Sequence, residues 1–398
     1  MIILSCAVVL ILLIVRRHAL LNPLTYFTLV VFVQMAGSFI LFDSYHEYDR
    51  VHAAIFFCSL AGILAGAVLF MANGTVLRAQ ESWTKSPIVP MTRLQKRRVI
   101  ALLVFSIGMT VLYYQIVGYN LFFVALRGGA DVDFTTLRLE AYSGSRYTAP
   151  GLFNQFKNTI LPVCTLAVIF HFVLIKRYKV AVAIGVVLLP FVLFALLGTG
   201  QRAFLFYFVC ITGMMFLLLG RIPVAPLAIV LGGFLFLFNL YSVLLGRAEV
   251  AGGDGIFAQL SYRLFAAQQT HGVNGFAYVY QLPYQYGGDW VANFRGLVPG
   301  IKGSTLSHEL HAYLFGSTRG TVPVSLWVSA YHNFGYVGAF LIGFAWVGLL
   351  RLLLSIAMRL ERNPLNMALT AAAIFYFAIT PIGHPAQVFN YGLFGLIF

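Results

Sequence analysis

The chain has 398 residues, of which 60% are hydrophobic and 10% are charged, whereas a soluble domain carries about 25% charged residues. Its net charge of +14 would suit a nucleic-acid partner. The charges form no continuous basic face, however, and lie between apolar segments, which favours membrane topology and lipid headgroups over nucleic acid. Apolar runs close to the ~20 residues that cross the hydrocarbon recur along the chain. The composition therefore predicts an all-α polytopic membrane protein.

The first apolar run, residues 1–15, is followed by Arg16, Arg17 and His18. A signal peptide has the opposite order, with positive charge before the apolar run and a small-residue cleavage site after it. We therefore predict an uncleaved first span whose N-terminus lies outside.

Ten spans and a short apolar tail are predicted in chain order. They are residues 1–15, 24–42, 51–72, 99–117, 159–175, 180–197, 203–220, 224–246, 333–357 and 366–382, with 388–398 beginning an eleventh. The chain is expected to form a single integral membrane domain over 1–398. Its inner loops are too short for a nucleotide-binding domain of ~100 residues, and the sequence has neither a P-loop nor a Rossmann glycine pattern.

The basic residues predict the orientation. One set of alternate loops and span ends holds 15 of the 26 Lys and Arg residues but 2 of the 12 Asp and Glu residues. The positive-inside rule places that set in the cytoplasm. Outer loop 1 (118–158), the turn 198–202 and outer loop 2 (247–332) then face outward, and outer loop 2 is the candidate active site.

Outer loop 2 is polar and aromatic in an otherwise apolar chain. Apolar spacing over 256–271 is typical of a helix lying in the membrane interface, and 304–315 reads as a second short helix. The stretch 322–338 is interpreted either as a re-entrant hairpin or as the outer end of a long helix. The Tyr and Trp side chains of 278–290 suit stacking on sugar rings, or equally the aromatic belt of any membrane protein.

Arginine is the main candidate for anion binding. Arg202 follows a glycine-flanked turn between two apolar spans, and its planar paired donors would suit a diphosphate. The alternative is an interfacial arginine that reaches lipid headgroups. The outer segments also hold Lys302 and five further candidates for substrate binding, which are Arg138, Arg146, Arg263, Arg295 and Arg319.

The run 307–311 offers a general base. His308, Glu309 and His311 supply the imidazole or carboxylate that could take a proton from a sugar hydroxyl. The spacing is not that of a zinc protease, so we predict neither a metal nor another cofactor, and a polar helix cap is the alternative. His332 and Asn333 lie near membrane depth, where polar groups often mark a pathway, and they are added as substrate-binding candidates.

The layout resembles the Wzy-type oligosaccharide repeat-unit polymerases, the O-antigen polymerase family. The resemblance is carried by Leu137-Arg138-Leu139-Glu140 leading to Leu161-Pro162, by the turn Gly198–Arg202, and by Val322–Gly338 with its Asn333-Phe334-Gly335. The layout is similar at greater distance to the O-antigen ligases.

The resemblance implies a metal-independent, inverting glycosyltransferase of the C superfamily that joins undecaprenyl-diphosphate-linked oligosaccharides at the outer face of a bacterial cytoplasmic membrane. It implies that Arg202, Arg138 and Arg263 hold the diphosphate and that Glu309, His308 or His311 accepts the proton. The expected partners are the lipid-linked oligosaccharides, membrane lipids, a chain-length regulator and a flippase. The alternatives are a ligase or other lipid-linked-sugar glycosyltransferase, and a transporter of lipid-linked oligosaccharides.

Overall fold

The computed structural model describes most of the chain and shows it to be helical. The described residues are 2–15, 22–43, 45–72, 74–127, 136–137, 150–201, 203–219, 268–296, 298, 301–317, 320–393 and 395. Within these residues the secondary structure consists of helices and turns, without a strand. The all-α prediction is therefore confirmed for the part of the chain that the structure describes.

Seven of these helices are long and apolar enough to cross a membrane. They are Pro23–Ile40, Glu47–Met71, Arg93–Val117, Leu152–Leu174, Tyr178–Leu197, Leu326–Ala357 and Pro364–Ile382, with shorter apolar helices at Ile3–Ile14 and Ala203–Leu218. Nine of the ten predicted spans thus fall on apolar helices, and the tenth, 224–246, lies outside the described residues. The chain is a membrane protein by the length and apolarity of its helices.

The fold divides into two compact units. The first comprises Met1–Ser82, Asp254–Arg359 and Tyr376–Asn390, and the second comprises Trp83–Gly253, Leu360–Phe375 and Tyr391–Phe398. The two stretches α4 (Gly74–Lys85) and α15 (Pro364–Ala378) include residues of both units. Helix α4 lies in a segment that was predicted to be a loop. The prediction missed this helix because its composition is too polar to resemble a membrane span.

The described part of the first unit contains three long helices, a helix near the N-terminus and three shorter helices. The long helices are α2 (Pro23–Ile40), α3 (Glu47–Gly66, continued by a π-helical turn Ala67–Met71) and α14 (Leu326–Ala357), and α1 (Ile2–Val15) packs beside α2. The shorter ones are α11 (Gln268–Gln281), α12 (Gly288–Arg295) and α13 (Leu306–Phe315). Helix α13 confirms the predicted helix at 304–315, and all three belong to the polar insert.

The second unit contains α5 (Arg93–Val117), α6 (Leu121–Leu126), α7 (Pro150–Gln155), a π-helical turn Phe156–Ile160, α8 (Leu161–Leu174), α9 (Tyr178–Leu197) and α10 (Ala203–Leu218). Helix α5 starts at a capping box, in which the Thr92 hydroxyl accepts from the Gln95 N–H at 3.2 Å and the Gln95 side chain accepts from the Thr92 N–H at 2.9 Å. It ends at Gly118, whose φ of 84° suits glycine. Local sequence thus sets both ends of this span.

Helices α3 and α14 approach closely because small residues line their contact. Gly62 of α3 lies against the Phe340 backbone and Gly66 lies against Val347 of α14, while Gly343 of α14 lies against the Ser59 carbonyl. The Ser59 hydroxyl donates to the Ala339 carbonyl at 2.8 Å. Lipid offers no hydrophobic drive for helices to associate, so close backbone approach and interhelical hydrogen bonds hold such pairs together.

Replacing one of these glycines should loosen the pair. A Cβ atom added at Gly343 would lie 2.4 Å from the Ser59 carbonyl oxygen, which is backbone and cannot rotate away. We expect Gly343→Ala to lower the stability of the fold by roughly 1–3 kcal/mol, measured as thermal unfolding in detergent. The matched control is Gly348→Ala on the same helix, where the added atom would meet the Phe70 ring at 3.4 Å, an ordinary contact. Equal melting temperatures for the two variants would contradict the close contact.

Candidate functional site

Helix α14 is interrupted at Phe334 and Gly335. Phe334 has φ −141° and ψ 17°, and Gly335 has φ 62° and ψ −149°, a combination that is open to glycine and strained for any other residue. Residues 326–333 and 336–357 are therefore two helical segments rather than one straight helix, and the Ala330 carbonyl lies directly beside Gly338 across the sharp turn between them. An interruption in a membrane helix frees backbone groups that need new partners.

Residues 285–287 of the polar insert supply those partners. The N–H groups of Gln285 and Tyr286 donate to the carbonyls of His332 (3.0 Å) and Asn333 (2.9 Å). The side chain of Asn333, which is 0% exposed, accepts from the Gly287 N–H at 3.0 Å and donates to the Ser329 carbonyl at 2.8 Å. Asn333, predicted to bind substrate, therefore has both ends of its amide engaged in fastening the insert to the membrane helix.

Helix α12 is fixed to α14 by the same part of the chain. Trp290 donates its indole N–H to the Ser329 hydroxyl at 2.9 Å and packs edge-on against Phe334 with ring centroids 5.4 Å apart. The neighbouring Asp289 carboxylate is buried, and it accepts hydrogen bonds from the Ser304 hydroxyl and from the Asn293 amide at 3.3 Å. A buried carboxylate is thereby held beside the break.

Two histidines lie near that carboxylate. Asp289 interacts electrostatically with both His332 and His384, and Glu309 interacts with His332. The Nδ1 atoms of His332 and His384 are buried and have no hydrogen-bond partner among the described residues. His332 was a sequence candidate, but Asp289 was not. The sequence pointed to Asp289 only in that few acids occur in the insert, and the burial of its carboxylate could not be predicted from the sequence.

Glu309 extends from the first turn of α13. Its carboxylate accepts from the Tyr278 hydroxyl at 3.1 Å and from the Thr305 hydroxyl at 2.6 Å, and the residue is exposed. Burial, followed by the hydrogen bond to Glu309, raises the pKa of Tyr278 above its usual value. The tyrosine therefore remains a protonated donor that orients the carboxylate.

The two neighbouring histidines are engaged differently. The Nδ1 atom of His308 lies 2.9 Å from the Gly320 carbonyl, and Nδ1 of His311 meets the Ser317 carbonyl. A carbonyl oxygen can only accept, so each Nδ1 carries the hydrogen. The His311 ring also packs directly beside Gly320. These histidines hold the turn after α13, and Glu309 is the member of the trio with an exposed acceptor group.

An open pocket of about 580 Å³ adjoins the loop that repairs α14. It is lined by Gln285, Tyr286, Gly287, Gly288, Val291, Ala292, Arg295, Ile301 and Lys302. Arg295 and Lys302 are both exposed and have no acidic partner among the described residues. The pocket thus presents two positive charges, a tyrosine and some apolar surface, a combination that favours an anionic ligand with a less polar part.

The remaining predicted site residues lie outside the described residues. These are Arg138, Arg146, Arg202, Arg263 and Arg319, and their roles stay predictions. The described candidates all belong to the first unit: Arg295 lines the pocket, His332 and Asn333 lie at the break in α14, and the 308–311 trio lies on α13. Among the described residues, no group of three or more His, Cys, Asp or Glu side chains could hold a metal ion.

Acid should weaken this part of the first unit through His384. Burial lowers the pKa of His384 to about 4, and the nearby Asp289 carboxylate offsets only part of that effect. Because an unfolded histidine titrates near 6.5, the unfolded chain takes up this proton first as the pH falls. The free energy of unfolding should therefore be highest above pH 6.5 and should decrease as the pH falls toward 4, by at most about 3 kcal/mol. His384→Gln should flatten this part of a plot of melting temperature against pH, and an unchanged slope would contradict it.

Comparisons of the chain with protein-family models, with curated proteins and with solved structures found no match. The function has to follow from the chemistry of the described residues of the first unit: two cations at an open pocket, an oriented exposed carboxylate, and a membrane helix whose break is repaired by the polar insert.

Proposed function

We propose that the protein is a glycosyltransferase that polymerises undecaprenyl-diphosphate-linked oligosaccharide repeat units. A hydroxyl of the acceptor repeat unit attacks the anomeric carbon of the donor glycan. The bond from that carbon to the diphosphate oxygen breaks, and undecaprenyl diphosphate leaves with the electron pair. The proton of the attacking hydroxyl passes to a carboxylate, so the reaction needs no nucleotide and no metal.

The observation that carries this proposal is the pocket containing Arg295 and Lys302. A lipid diphosphate is an anion joined to sugars on one side and to a hydrocarbon chain on the other. Two cations that have no acidic partner among the described residues would hold the diphosphate and neutralise the charge that develops as it leaves. The exposed Tyr286 in the same lining offers a flat apolar face for a sugar ring.

Glu309 is the best-supported proton acceptor. It is exposed, and two hydroxyl donors on different sides orient its carboxylate. His308 and His311 donate from Nδ1 to backbone carbonyls, which leaves Nε2 as the acceptor on each ring, but both residues are only partly exposed, whereas Glu309 is exposed. His332, in electrostatic contact with Glu309 and Asp289, is proposed to contact the acceptor sugar.

The rest of the scheme extends the same proposal. Arg202, Arg138 and Arg263 are proposed as further diphosphate ligands, with Arg146 and Arg319 contacting the glycan. About 10–11 spans would place outer loops 1 and 2 on the outer face of a bacterial cytoplasmic membrane, as the distribution of basic residues favours. A chain-length regulator and a flippase would be the partners.

The test uses purified protein in nanodiscs with lipid-linked glycan extracted from the native host, since that material contains the correct repeat unit. A ladder of products stepped by one repeat unit, formed without nucleotide or metal, is expected. Transfer of a single glycan to another lipid would replace polymerase with ligase. Lipid binding and movement across the bilayer without any new glycosidic bond would overturn the enzyme proposal in favour of a transporter.

A further inference from the structure

The second unit contains a lysine buried inside a membrane span. Lys157 lies in the π-helical turn Phe156–Ile160 of the span Leu152–Leu174, and its side chain is 0% exposed. Its Nζ atom lies 4.6 Å from the centroid of the Tyr113 ring and 5.6 Å from that of Tyr114. The ammonium group therefore sits in a cage formed by two aromatic rings of α5.

The two rings compensate this charge incompletely. Cation–π contact offsets part of the cost of taking an ammonium out of water, but a lysine also has three N–H donors that seek acceptors. Nζ of Lys157 has no hydrogen-bond partner among the described residues. Within the part of the chain that the structure describes, no carboxylate pairs with it. Among the described residues this buried cation therefore lacks an anionic partner, a place that a phosphate could take.

The cage lies close to the ends of three spans. Lys157 is five residues from Leu152, where its span begins, and Tyr114 is three residues from the end of α5. The Tyr114 hydroxyl donates to the carbonyl of Ala195, which is two residues from the end of α9. At 1.5 Å per helical residue, each position is within about 8 Å of its span end. That depth corresponds to the boundary between lipid headgroups and acyl chains.

Two more polar atoms near the cage lack partners. Oδ1 of Asn158 and Oγ1 of Thr199 are buried without a hydrogen-bond partner among the described residues. Asn158 adjoins Lys157 in the chain, and Thr199 follows Gly198, which packs directly beside the Tyr114 hydroxyl. A threonine hydroxyl can donate to an anion that also contacts the ammonium, whereas the amide oxygen of Asn158 can only accept and so does not bind an anion.

We infer that Lys157 binds the phosphate of an anionic membrane lipid at this end of the second unit. The phosphate of a membrane lipid lies at this depth of a bilayer, whereas a free anion would have to leave the water to reach it. The π-helical turn supports the inference, because such turns are frequent at functional sites. The shared chemistry is a phosphate ester on a hydrocarbon chain, carried either by a phospholipid or by a polyprenyl phosphate. The inference is independent of the polymerase proposed for the first unit.

Delipidated protein in neutral detergent provides the test. Four proteins are compared: wild type, Lys157→Met, Lys157→Arg and the control Lys179→Met, whose lysine is exposed. Each protein is titrated with phosphatidylglycerol, polyprenyl monophosphate, diacylglycerol or inorganic phosphate. Bound lipid is counted by native mass spectrometry, and the change in melting temperature is recorded. One phosphate lipid should be retained per chain, with affinity about 10- to 100-fold weaker in Lys157→Met, near wild type in Lys179→Met, and partly kept in Lys157→Arg.

The arms separate the two lipid sources. Binding that depends on Lys157 with phosphatidylglycerol assigns a headgroup site, and the same result with polyprenyl monophosphate alone assigns a carrier-lipid site. Equal affinity of Lys157→Met and wild type, or equal binding of diacylglycerol, would overturn the inference. If inorganic phosphate alone binds or raises the melting temperature, the ligand is not a lipid and the inference is wrong. Cross-linking of wild-type protein with a phospholipid that carries a photoreactive headgroup needs no variant. The label should appear on residues 150–160. If no label appears there and no lipid binds in the titrations, the site is also contradicted.

Discussion

Glu309→Gln should abolish most of the chain elongation while leaving the lipid-linked donor bound. Glutamine preserves the shape of the side chain and keeps one of the two oxygens that accept from Tyr278 and Thr305, but its amide cannot take up the proton of the attacking hydroxyl. A positioned general base contributes about 10²- to 10⁴-fold to rate. We expect kcat to fall within that range with KM little changed, measured as repeat units added per minute in nanodiscs.

The chain supplies a matched control for this experiment. Glu47 accepts a hydrogen bond from the Tyr280 hydroxyl at 2.8 Å, so it is a second exposed glutamate paired with a tyrosine of α11. Glu47→Gln removes the same kind of charge from the same unit and should keep near-normal kcat. If both variants lose activity equally, the effect is structural, and if Glu309→Gln retains full activity, Glu309 is not the base.

Removing the two cations of the pocket should instead weaken the use of the donor. Charge-assisted hydrogen bonds to a phosphate contribute about 1.5–3 kcal/mol each, so Arg295→Ala and Lys302→Ala should each reduce kcat/KM about 10- to 100-fold. The double variant should lose more than either single variant. Because these charges are exposed, the wild-type reaction should slow as salt increases, and the double variant should show a shallower salt dependence.

Arg359→Ala is the control for the pocket. Arg359 is also exposed but follows the far end of α14, so its removal changes the net charge equally without touching the pocket. Lys302→Arg should retain most of the activity because it keeps the charge. Normal donor KM in the Arg295→Ala and Lys302→Ala double variant would show that the diphosphate binds elsewhere, leaving the arginines of the undescribed segments as the candidates.

The sequence by itself determined the class of the protein and the places of its helices. Apolar runs near 20 residues report on each segment independently, because the bilayer acts on every span through its own composition. Nine of the ten predicted spans accordingly coincide with apolar helices. The short helix around Glu309 was also predictable, since its start and its polar run are local features.

Only the tertiary structure decided which polar groups meet. The break at Gly335 depends on partners from 285–287, nearly fifty residues earlier, and no local pattern announces such a contact. Asp289 became a site candidate once its burial beside His332 and His384 was visible. His308 and His311 looked equivalent to Glu309 until their carbonyl partners appeared. Hydropathy is a sum over neighbours in the chain, whereas hydrogen bonds and buried charges join residues that are distant in sequence, so they become readable only when the chain is folded.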